Sequence, residues 1–332
     1  MRAMVLKQPN TPLKLIDLPI PEPGKKQVLI KVIACGVCRT DLHVSSGELE
    51  KPHLPLVLGH QVVGTIAKQG AESGRFAIGQ RVGAPWLGTS CEQCSFCLSG
   101  AENLCENALY RGYQFNGGFA EYCLADEEFI FPIPEEYSSL HAAPLLCAGL
   151  IGYRTLKLAG DGKRLGFYGF GASAHILIQL AVQQGREVYT FSREGDNHSQ
   201  AFARKLGATW TGESSQLPPV PLDAALIFAP IGSIVPLALR AVRKGGSVVS
   251  AGIYMTDIPS FPYSLLYGER ILRSVTNLTR RDGLEFFELI ARYPIQTSVT
   301  AYLLEEANQA LSDLKEGRFS GSAVLVIDSG TK

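Results

Sequence analysis

Four cysteines lie close together in the chain, at a spacing that suits a single metal ion. Cys91, Cys94 and Cys97 are separated by two residues each, and Cys105 follows in the same loop. Four thiolates can close a tetrahedral shell around one zinc ion and leave no position for a substrate. We therefore predict that residues 88–106 form a structural zinc loop.

A zinc ribbon that binds nucleic acid is the alternative interpretation of these cysteines. Such a module needs basic side chains against phosphate groups. The loop instead carries Glu92, Glu102 and Glu106, with Arg111 as the nearby cation. Lys plus Arg and Asp plus Glu both number 31 in the whole chain, so the formal net charge is zero. We expect no nucleic-acid partner.

A second set of chemically active side chains begins at Cys38. The segment 38–43 supplies a thiol, a hydroxyl, a carboxylate and an imidazole, while His60 and Cys147 add a further imidazole and thiol. Two cysteines and one histidine make the three-ligand shell of a catalytic zinc, which keeps a fourth position open. The spacing alone does not join residues 38, 60 and 147, because a single histidine is more often an ordinary core or surface residue.

The turn at residues 169–174 has the pattern G-x-G-x-x-A, after a predicted strand at 164–168 and at the start of a predicted helix at 172–184. The first glycine permits the turn, the second lets the backbone approach a pyrophosphate, and the small third residue keeps the helix close to the strand. The cofactor-binding residues predicted in this turn are Gly169, Gly171, Ala172, Ser173 and Ala174.

The residues after the next predicted strand, 187–191, bear on the choice between two nicotinamide cofactors. An acidic residue about 20 positions beyond the glycines commonly binds the ribose of NAD. Ser192 takes that place here, and Arg193 follows it. An arginine can bind a 2′-phosphate, so we predict that both residues contact the cofactor and that NADP(H) is favoured over NAD(H). The alternatives are a solvated Arg193, or ribose binding by Glu194 after a shift in register.

The elements around these motifs divide the chain into two parts. The first 85 residues read as short strands rich in proline, such as 27–33 and 62–66, which indicates an irregular barrel or sandwich. The second part alternates strands and helices, which predicts an α/β fold with a doubly wound parallel sheet. Its other predicted elements are strands at 222–228 and 246–251 and helices at 197–206 and 234–242. Beyond these we predict helices at 284–291 and 304–314 and a strand at 323–327.

Composition excludes several classes of protein. Apolar residues make up 46% of the 332 residues and charged residues 19%, which is unlike a disordered chain. The N-terminus has no apolar segment of the secretory type, and the uncharged run 165–185 is better explained by a strand, a glycine turn and a helix than by a membrane span. Eight cysteines in such a chain favour metal binding over disulfides, so we expect a cytoplasmic protein without a membrane partner.

The motifs together identify a family by resemblance. The segments CGVCRTDLH, LGHQVVG, the four-cysteine loop, GGFAEY and PLLCAG occur in this order, followed by the nucleotide motif. This set resembles the zinc-dependent alcohol dehydrogenases of the medium-chain dehydrogenase/reductase superfamily, over essentially the whole chain. The resemblance implies a GroES-like irregular β-barrel catalytic domain at 1–142 and 286–332, with a Rossmann dinucleotide-binding domain at 143–285.

The resemblance also assigns the second metal site. It implies that Cys38, His60 and Cys147 are the catalytic zinc ligands, which gives two zinc ions per chain with the four-cysteine site. Asp41 matches the carboxylate that orients the ligand histidine, a role expected beside a metal-bound imidazole. The family usually has a glutamate directly after that histidine, whereas this chain has Gln61. Because the amide adds no negative charge, we expect a more electrophilic zinc with slower ligand exchange.

The implied activity is reversible hydride transfer between an alcohol and an aldehyde or ketone, with NAD(P) as cofactor and zinc polarising the substrate oxygen. Thr40 and His43 match the proton relay of the family. A small-molecule alcohol or aldehyde is the implied substrate, and a homo-dimer or homo-tetramer the implied assembly. Further cofactor contacts are expected at the strand ends carrying Ala229, Pro230, Ala251, Gly252 and Ile253, and at Arg280 on the pyrophosphate.

Two other functions remain as alternatives at this point. A zinc-independent quinone or enoyl reductase of the same superfamily would lack the ligand set at Cys38, His60 and Cys147. A nucleotide-binding protein without turnover would have no need of the relay residues Thr40 and His43. Turnover of alcohols or aldehydes distinguishes both from an alcohol dehydrogenase. The aromatic residues Trp86, Tyr110 and Tyr254 are candidates to line the substrate pocket, although aromatic residues are more often part of a core.

Overall fold

The structure is a computed structural model, and it describes residues 1–49 and 52–328. Its strands are β1 (Arg2–Leu6), β2 (Lys14–Asp17), β3 (Gln27–Val37), β4 (Leu56–Val57), β5 (Gln61–Gln69), β6 (Arg81–Ala84), β7 (Leu87–Thr89), β8 (Leu109–Tyr110), β9 (Tyr122–Asp126), β10 (Phe131–Pro132), β11 (Arg164–Tyr168), β12 (Glu187–Ser192), β13 (Trp210–Glu213), β14 (Leu222–Ile227), β15 (Val242–Ser250), β16 (Ile271–Ser274), β17 (Val299–Leu303) and β18 (Ser322–Val326). Its helices are α1 (Arg39–Ser46), α2 (Ser95–Leu98), α3 (Ser139–Ala142), α4 (Ala148–Ala159), α5 (Ala172–Gln183), α6 (Asn197–Lys205), α7 (Ile234–Ala241), α8 (Arg280–Arg292) and α9 (Ala307–Glu316).

The chain forms two compact units. Unit 1 consists of Met1–Cys147, Leu278–Arg292 and the chain from Gln296 onward. Unit 2 consists of Ala148–Asn277 and Tyr293–Ile295.

The borders of the units differ from the predicted domain borders at three short segments. Residues 143–147 and 278–285 fall in unit 1, whereas the sequence prediction placed them in the second domain, and residues 293–295 fall in unit 2, whereas the prediction placed them in the catalytic domain. Packing explains the first two differences. Leu146 lies so close to Gly83 of β6 that a Cβ atom added there would meet its side chain at 2.6 Å. The ring of Phe287 in α8 packs on Phe131 of β10, with 5.7 Å between the ring centroids.

Unit 1 is built mainly from antiparallel strands, although β17 and β18 pair in parallel. One sheet has the order β10-β6-β5-β3-β18-β17, with β9 also paired to β3, and a smaller sheet has the order β2-β1-β4. The long strand β3 is the centre of this unit, because it pairs with β5, β9 and β18. The register sets Gly36 opposite Gln61. Cys38 and His60 stand just beyond the ends of these two strands, so the pairing brings them together.

Unit 2 is a parallel sheet of six strands in the order β13-β12-β11-β14-β15-β16. Counted within the unit, the order is 3-2-1-4-5-6, as in a Rossmann fold, with the reversal at β11 and β14. The strands β11, β12 and β14 are almost wholly buried, as expected when helices cover a parallel sheet. The predicted fold class is therefore confirmed for the α/β sheet and for the irregular β unit.

No helix within residues 1–49 and 52–328 combines the length and the apolar character that crossing a membrane requires. The uncharged run at 165–185 contains β11, the glycine turn and α5.

Candidate functional site

The four cysteines of the predicted zinc loop converge in unit 1. Cys91 follows β7, Cys94 is the N-cap of α2, Cys97 lies in α2, and Cys105 ends a short 3₁₀ helix, Glu102–Leu104. Their Sγ atoms all lie within 4.8 Å of one another, with 3.5 Å between Cys94 and Cys97 and 3.9 Å between Cys91 and Cys97. A tetrahedral zinc with four thiolates needs a sulfur separation of about 3.8 Å, so the donor set fits zinc.

The local backbone favours the charged form of the first cysteine in this loop. The backbone N–H groups of Gln93 and Cys94 lower the pKa of Cys91 to about 6. A thiolate is the form that binds a metal, so the fold prepares this ligand before the ion arrives.

The second donor set also lies in unit 1. Cys38 Sγ is 3.1 Å from His60 Nε2 and 4.0 Å from Cys147 Sγ, and all three donor atoms lie within 4.8 Å of one another. With three protein donors, a tetrahedral ion keeps one position for a substrate oxygen. The arrangement therefore fits a catalytic zinc, as the first set fits a structural one.

Asp41 holds the two segments that carry these donors. Its carboxylate accepts the backbone N–H of Cys38 at 2.9 Å and that of Gly59 at 3.1 Å. The same carboxylate lies 3.3 Å from His60 Nδ1, and both side chains are almost fully buried. The structure thus brings Asp41 to the position of an orienting carboxylate.

The buried surroundings of this donor set change the pKa of His60. Burial lowers the pKa of His60, but its interactions with Cys38 and Asp41 raise that pKa by a larger amount, so that it reaches about 10. The imidazole of the metal-free chain therefore holds a proton at neutral pH, which a bound metal ion would displace.

The two predicted relay residues share helix α1. Thr40 and His43 are three positions apart, so their side chains lie on the same face of the helix. Thr40 is buried, and its backbone N–H donates to Cys38 Sγ at 3.4 Å. His43 Nδ1 contacts the carboxylate of Glu48, which the turn after Gly47 brings back onto the helix. Thr40 therefore adjoins Cys38, a predicted metal ligand, and His43 contacts a half-exposed carboxylate.

Gln61 is the first residue of β5 and is buried. Its side chain packs on Gly36, where an added Cβ atom would meet Gln61 Oε1 at 2.7 Å. The amide is thus held directly after His60, in the place that the family usually gives to a glutamate.

An aromatic stack contacts His60, a predicted metal ligand. The ring of Trp86 meets the ring of His60 edge-on, with centroids 4.8 Å apart. Trp86 also stacks on Tyr110 at 5.2 Å and on Tyr113 at 5.8 Å, and all three aromatic side chains are half-buried. Sequence reasoning named Trp86 and Tyr110 but missed Tyr113. Tyr254, the third candidate, is 60% exposed and lies in unit 2.

The glycine turn of unit 2 has the conformation that the motif requires. Gly169 has φ +87°, which disfavours any residue with a side chain, and a Cβ atom there would also clash with Ala229 at 2.9 Å. Gly171 is the N-cap of α5, and nothing lies within 4 Å of the place where its Cβ would be. This space at a helix N-terminus suits a pyrophosphate. Ala172, Ser173 and Ala174 form the first turn of α5.

The two residues predicted to select the cofactor differ in their surroundings. Ser192 ends β12 and is buried, and its Oγ accepts a hydrogen bond from Gln200 Nε2 at 3.1 Å. The side chain of Arg193 is 87% exposed and pairs with Asp196 at 3.4 Å. Arg193 is therefore open to a ligand, whereas the serine hydroxyl already has a partner.

The remaining predicted cofactor contacts lie in two places. Ala229 and Pro230 follow β14, while Ala251, Gly252 and Ile253 follow β15, at the carboxyl ends of adjacent parallel strands. The two loops touch, because a Cβ at Gly252 would lie 3.0 Å from Pro230 Cα.

Arg280, by contrast, belongs to unit 1. Its guanidinium contacts Glu92 and Glu102 of the cysteine loop. Its predicted contact with a pyrophosphate gains no support from this geometry and stays a prediction.

Comparison with known proteins adds an independent line of evidence. Residues 24–135 match the family model described as "Alcohol dehydrogenase GroES-like domain". The chain is 33% identical to an alcohol dehydrogenase of Geobacillus stearothermophilus, over 99% of this chain and 100% of that protein. Among solved structures, acetophenone reductase from Geotrichum candidum in complex with NAD has a TM-score of 0.88 at 27% identity, covering 99% of this chain and 98% of that one.

Another structural match, a cinnamyl alcohol dehydrogenase from Sorghum bicolor, has a TM-score of 0.90 at 25% identity, covering 100% of this chain and 98% of that one. The probable alcohol dehydrogenase AdhA of Mycobacterium tuberculosis is 43% identical over 95% of this chain and 93% of its own length. The predicted resemblance is confirmed: the chain belongs to the zinc-dependent alcohol dehydrogenases of the medium-chain dehydrogenase/reductase superfamily, which are oxidoreductases acting on the CH–OH group of their substrates.

Proposed function

We propose that the chain interconverts an alcohol and an aldehyde or ketone with two zinc ions per chain, one held by Cys38, His60 and Cys147 and one by the four-cysteine loop. The convergence of two cysteines and one histidine within 4.8 Å carries this proposal, because it leaves one metal position open. We assign catalysis to unit 1 and nucleotide binding to unit 2. When bound, zinc polarises the substrate oxygen and the nicotinamide exchanges a hydride with the substrate carbon.

The side chains of unit 1 then orient the ligands and move the proton. Asp41 fixes the imidazole of His60 and ties Cys38 to Gly59 through backbone hydrogen bonds. The Thr40 hydroxyl accepts the proton of the substrate hydroxyl as it gives up its own proton, and His43, whose Nδ1 contacts Glu48, delivers the released proton to solvent. A hydroxyl and an imidazole on one helix face are suited to such a transfer.

Alcohol-dependent reduction of the nicotinamide, followed at 340 nm, tests this function. Wild-type protein is expected to turn over, Cys147→Ser to lose turnover, and Thr40→Val to lose most of its kcat while it binds the cofactor as before. Full activity of Thr40→Val would remove the relay from the account. Full activity of Cys147→Ser would contradict the proposal that catalysis needs a metal ion held by Cys38, His60 and Cys147.

We further propose that NADP(H) is preferred over NAD(H). The exposed guanidinium of Arg193 supports this, since it stands directly after β12, where an acidic residue would bind the ribose of NAD. Replacing it by Gln is expected to raise the KM for NADPH about tenfold and to leave the KM for NADH unchanged. Arg204→Gln, which removes another exposed cation from the same unit, is the control. Equal or tighter binding of NADH by the wild type would refute the preference.

Gln61 is proposed to make the catalytic zinc more electrophilic than a glutamate would. Its buried amide follows His60 directly and adds no charge to a formally neutral shell of two thiolates and one imidazole. The variant Gln61→Glu is expected to shift the pH profile of kcat and to speed ligand exchange. Unchanged turnover together with an unchanged pH profile would contradict this role.

The stack of Trp86, Tyr110 and Tyr113 is proposed as one wall of the substrate site, because it touches His60. Ring stacking contributes about 0.5–1.5 kcal/mol beyond burial. Trp86→Leu should therefore lower the preference for benzyl alcohol over ethanol, measured as a ratio of kcat/KM, by roughly two- to tenfold. An unchanged ratio would show that the substrate does not contact this aromatic stack.

The assembly is proposed to be a homo-dimer or homo-tetramer, in the cytoplasm. In support, β16 is an edge strand of the parallel sheet, and its Ile271 is 53% exposed. All eight cysteines lie in the described residues and none is in a disulfide, as suits a reducing compartment. Light scattering after size-exclusion chromatography tests the assembly, and a mass of one chain would contradict it.

A further inference from the structure

One arginine reaches the four-cysteine loop from a distant part of the sequence. Arg280 is the first residue of α8, and its backbone N–H donates to Glu102 Oε1 at 2.7 Å. Its Nε donates to the same oxygen at 3.3 Å, and its Nη1 donates to Glu92 Oε1 at 3.1 Å. The guanidinium also lies over the ring of Phe129, 5.0 Å from its centroid. With Glu128 Oε2 4.0 Å from Nη1, this one side chain contacts three carboxylates and one ring.

Two of these carboxylates stand beside the first and the last cysteine of the loop. Glu92 directly follows Cys91, and it has φ +58°, a conformation that a non-glycine residue rarely adopts. Glu102 begins the 3₁₀ turn that ends at Cys105, whose N–H donates to the carbonyl of Glu102 at 3.1 Å. Holding both glutamates therefore fixes the distance between the two ends of the loop.

The contact also supplies a partner for the buried carboxylate of Glu102, whose burial without a partner would destabilise the fold. The side chain of Glu102 is 3% exposed, so its charge needs a partner. It receives one from the guanidinium and another from the N-terminus of α8, where the helix dipole favours a negative group.

We propose that Arg280 and Glu102 are positioning residues for the four-cysteine site. They hold the loop in its metal-binding shape before the ion binds, and they slow the escape of the ion afterwards. Closing a flexible loop costs conformational entropy, and a contact that closes it in advance removes part of this cost from metal binding. The geometry thus gives Arg280 a role in metal retention within unit 1.

The rate of metal loss tests this role. Zinc-loaded protein carrying Cys147→Ser, which lacks a complete catalytic set, is mixed with a chelating dye that reports zinc released from the loop. In this background, Arg280→Ala and Glu102→Gln are each expected to release zinc at least about tenfold faster, because hydrogen bonds between charged groups contribute this much. The double variant is expected to release zinc more slowly than the product of the two single effects, since either single change already breaks the ion pair between Arg280 and Glu102.

Matched variants separate this role from a general loss of stability. Arg281→Ala removes the same charge from the neighbouring residue, whose side chain is 82% exposed and pairs with Glu285, and it should release zinc at the parent rate. Arg280→Lys keeps the charge but loses the fork that reaches two carboxylates, so it should fall between parent and Arg280→Ala while keeping the parent melting temperature. Release from Arg280→Ala or Arg280→Lys at the Arg281→Ala rate would overturn the proposal, as would additive effects in the double variant. Absence of zinc from the parent before chelation would instead contradict the proposed structural metal.

Discussion

Asp41 is the residue on which the geometry of the open metal site depends most. Its carboxylate binds the backbone on both ligand-bearing segments, at Cys38 and Gly59, and lies 3.3 Å from the imidazole of His60. Removal of such outer partners typically costs 10- to 100-fold in metal affinity. We expect Asp41→Asn to weaken zinc at this site by a factor in that range, measured by competition with a chelator. Asp17→Asn, on the exposed strand β2, should leave the affinity unchanged.

Tyr168 carries a polar group that the fold does not use. Its side chain is fully buried against Phe191, and its hydroxyl has no hydrogen-bond partner among the residues that the structure describes. An unpaired buried hydroxyl costs about 1–3 kcal/mol. Tyr168→Phe is therefore expected to raise the free energy of unfolding by about 1 kcal/mol in urea. In Tyr189 the hydroxyl donates to Glu187 at 3.1 Å, so Tyr189→Phe should give no such gain. A loss of stability in Tyr168→Phe would contradict this interpretation.

Sequence and structure agree best where the residues of a site are close in the chain. The ligands Cys91, Cys94, Cys97 and Cys105 are local, so their spacing alone predicted a shared ion. The set Cys38, His60 and Cys147 was predicted from family resemblance, because its members are far apart in the chain: strand pairing brings Cys38 to His60, and Cys147 follows a 3₁₀ helix at Ala143–Leu146. Asp41 was predicted to orient His60, but its bonds to the backbone of residues 38 and 59 depend on the tertiary fold.

At the scale of elements, the pairing of β3 with β5 places the metal site. The two backbones leave no room for a side chain at Gly64, where an added Cβ atom would lie 2.1 Å from the carbonyl oxygen of Lys31. A backbone contact cannot move aside as a side chain can. We expect Gly64→Ala to lower the free energy of unfolding by at least about 2 kcal/mol and to reduce zinc retention at the site anchored by His60.

A matched glycine variant checks this prediction. Gly74 has nothing within 4 Å of its added Cβ and no positive φ, so Gly74→Ala should melt like the wild type. Thermal melting of both variants, followed by circular dichroism, measures the difference. Equal melting temperatures would show that the strand pair tolerates a side chain at Gly64.

The predicted elements differ in how well the sequence located them. The strand 164–168 has the predicted bounds, and α5 ends one residue before the predicted helix does, because the apolar period and the glycine turn are strong signals. The strands β13, β16 and β17 were not predicted. They are short, and most of their residues are half-buried or exposed, so they lack a clear apolar pattern. They form by pairing with neighbours that the local sequence does not specify. Residue 242 was assigned to a helix but begins β15.

At the scale of the whole molecule, the chain leaves unit 1 after Cys147 and later returns to it. The strand β18 pairs antiparallel with β3, with Ala323 opposite Val37. The alternation of strands and helices was enough to predict the parallel sheet of unit 2. The return of the C-terminal segment to unit 1 was predicted from family resemblance. The local sequence of neither strand indicates that β3 and β18, which are far apart in the chain, pair with each other.

The number of zinc ions per chain tests the central claim most directly. Elemental analysis after dialysis against a mild chelator is expected to give two zinc ions in the wild type. Cys147→Ser and Cys105→Ser are each expected to retain one zinc, but at different sites. A single retained zinc in the wild type that is lost in Cys105→Ser and unaffected by Cys147→Ser would contradict the account, because Cys38, His60 and Cys147 would then hold no stable metal.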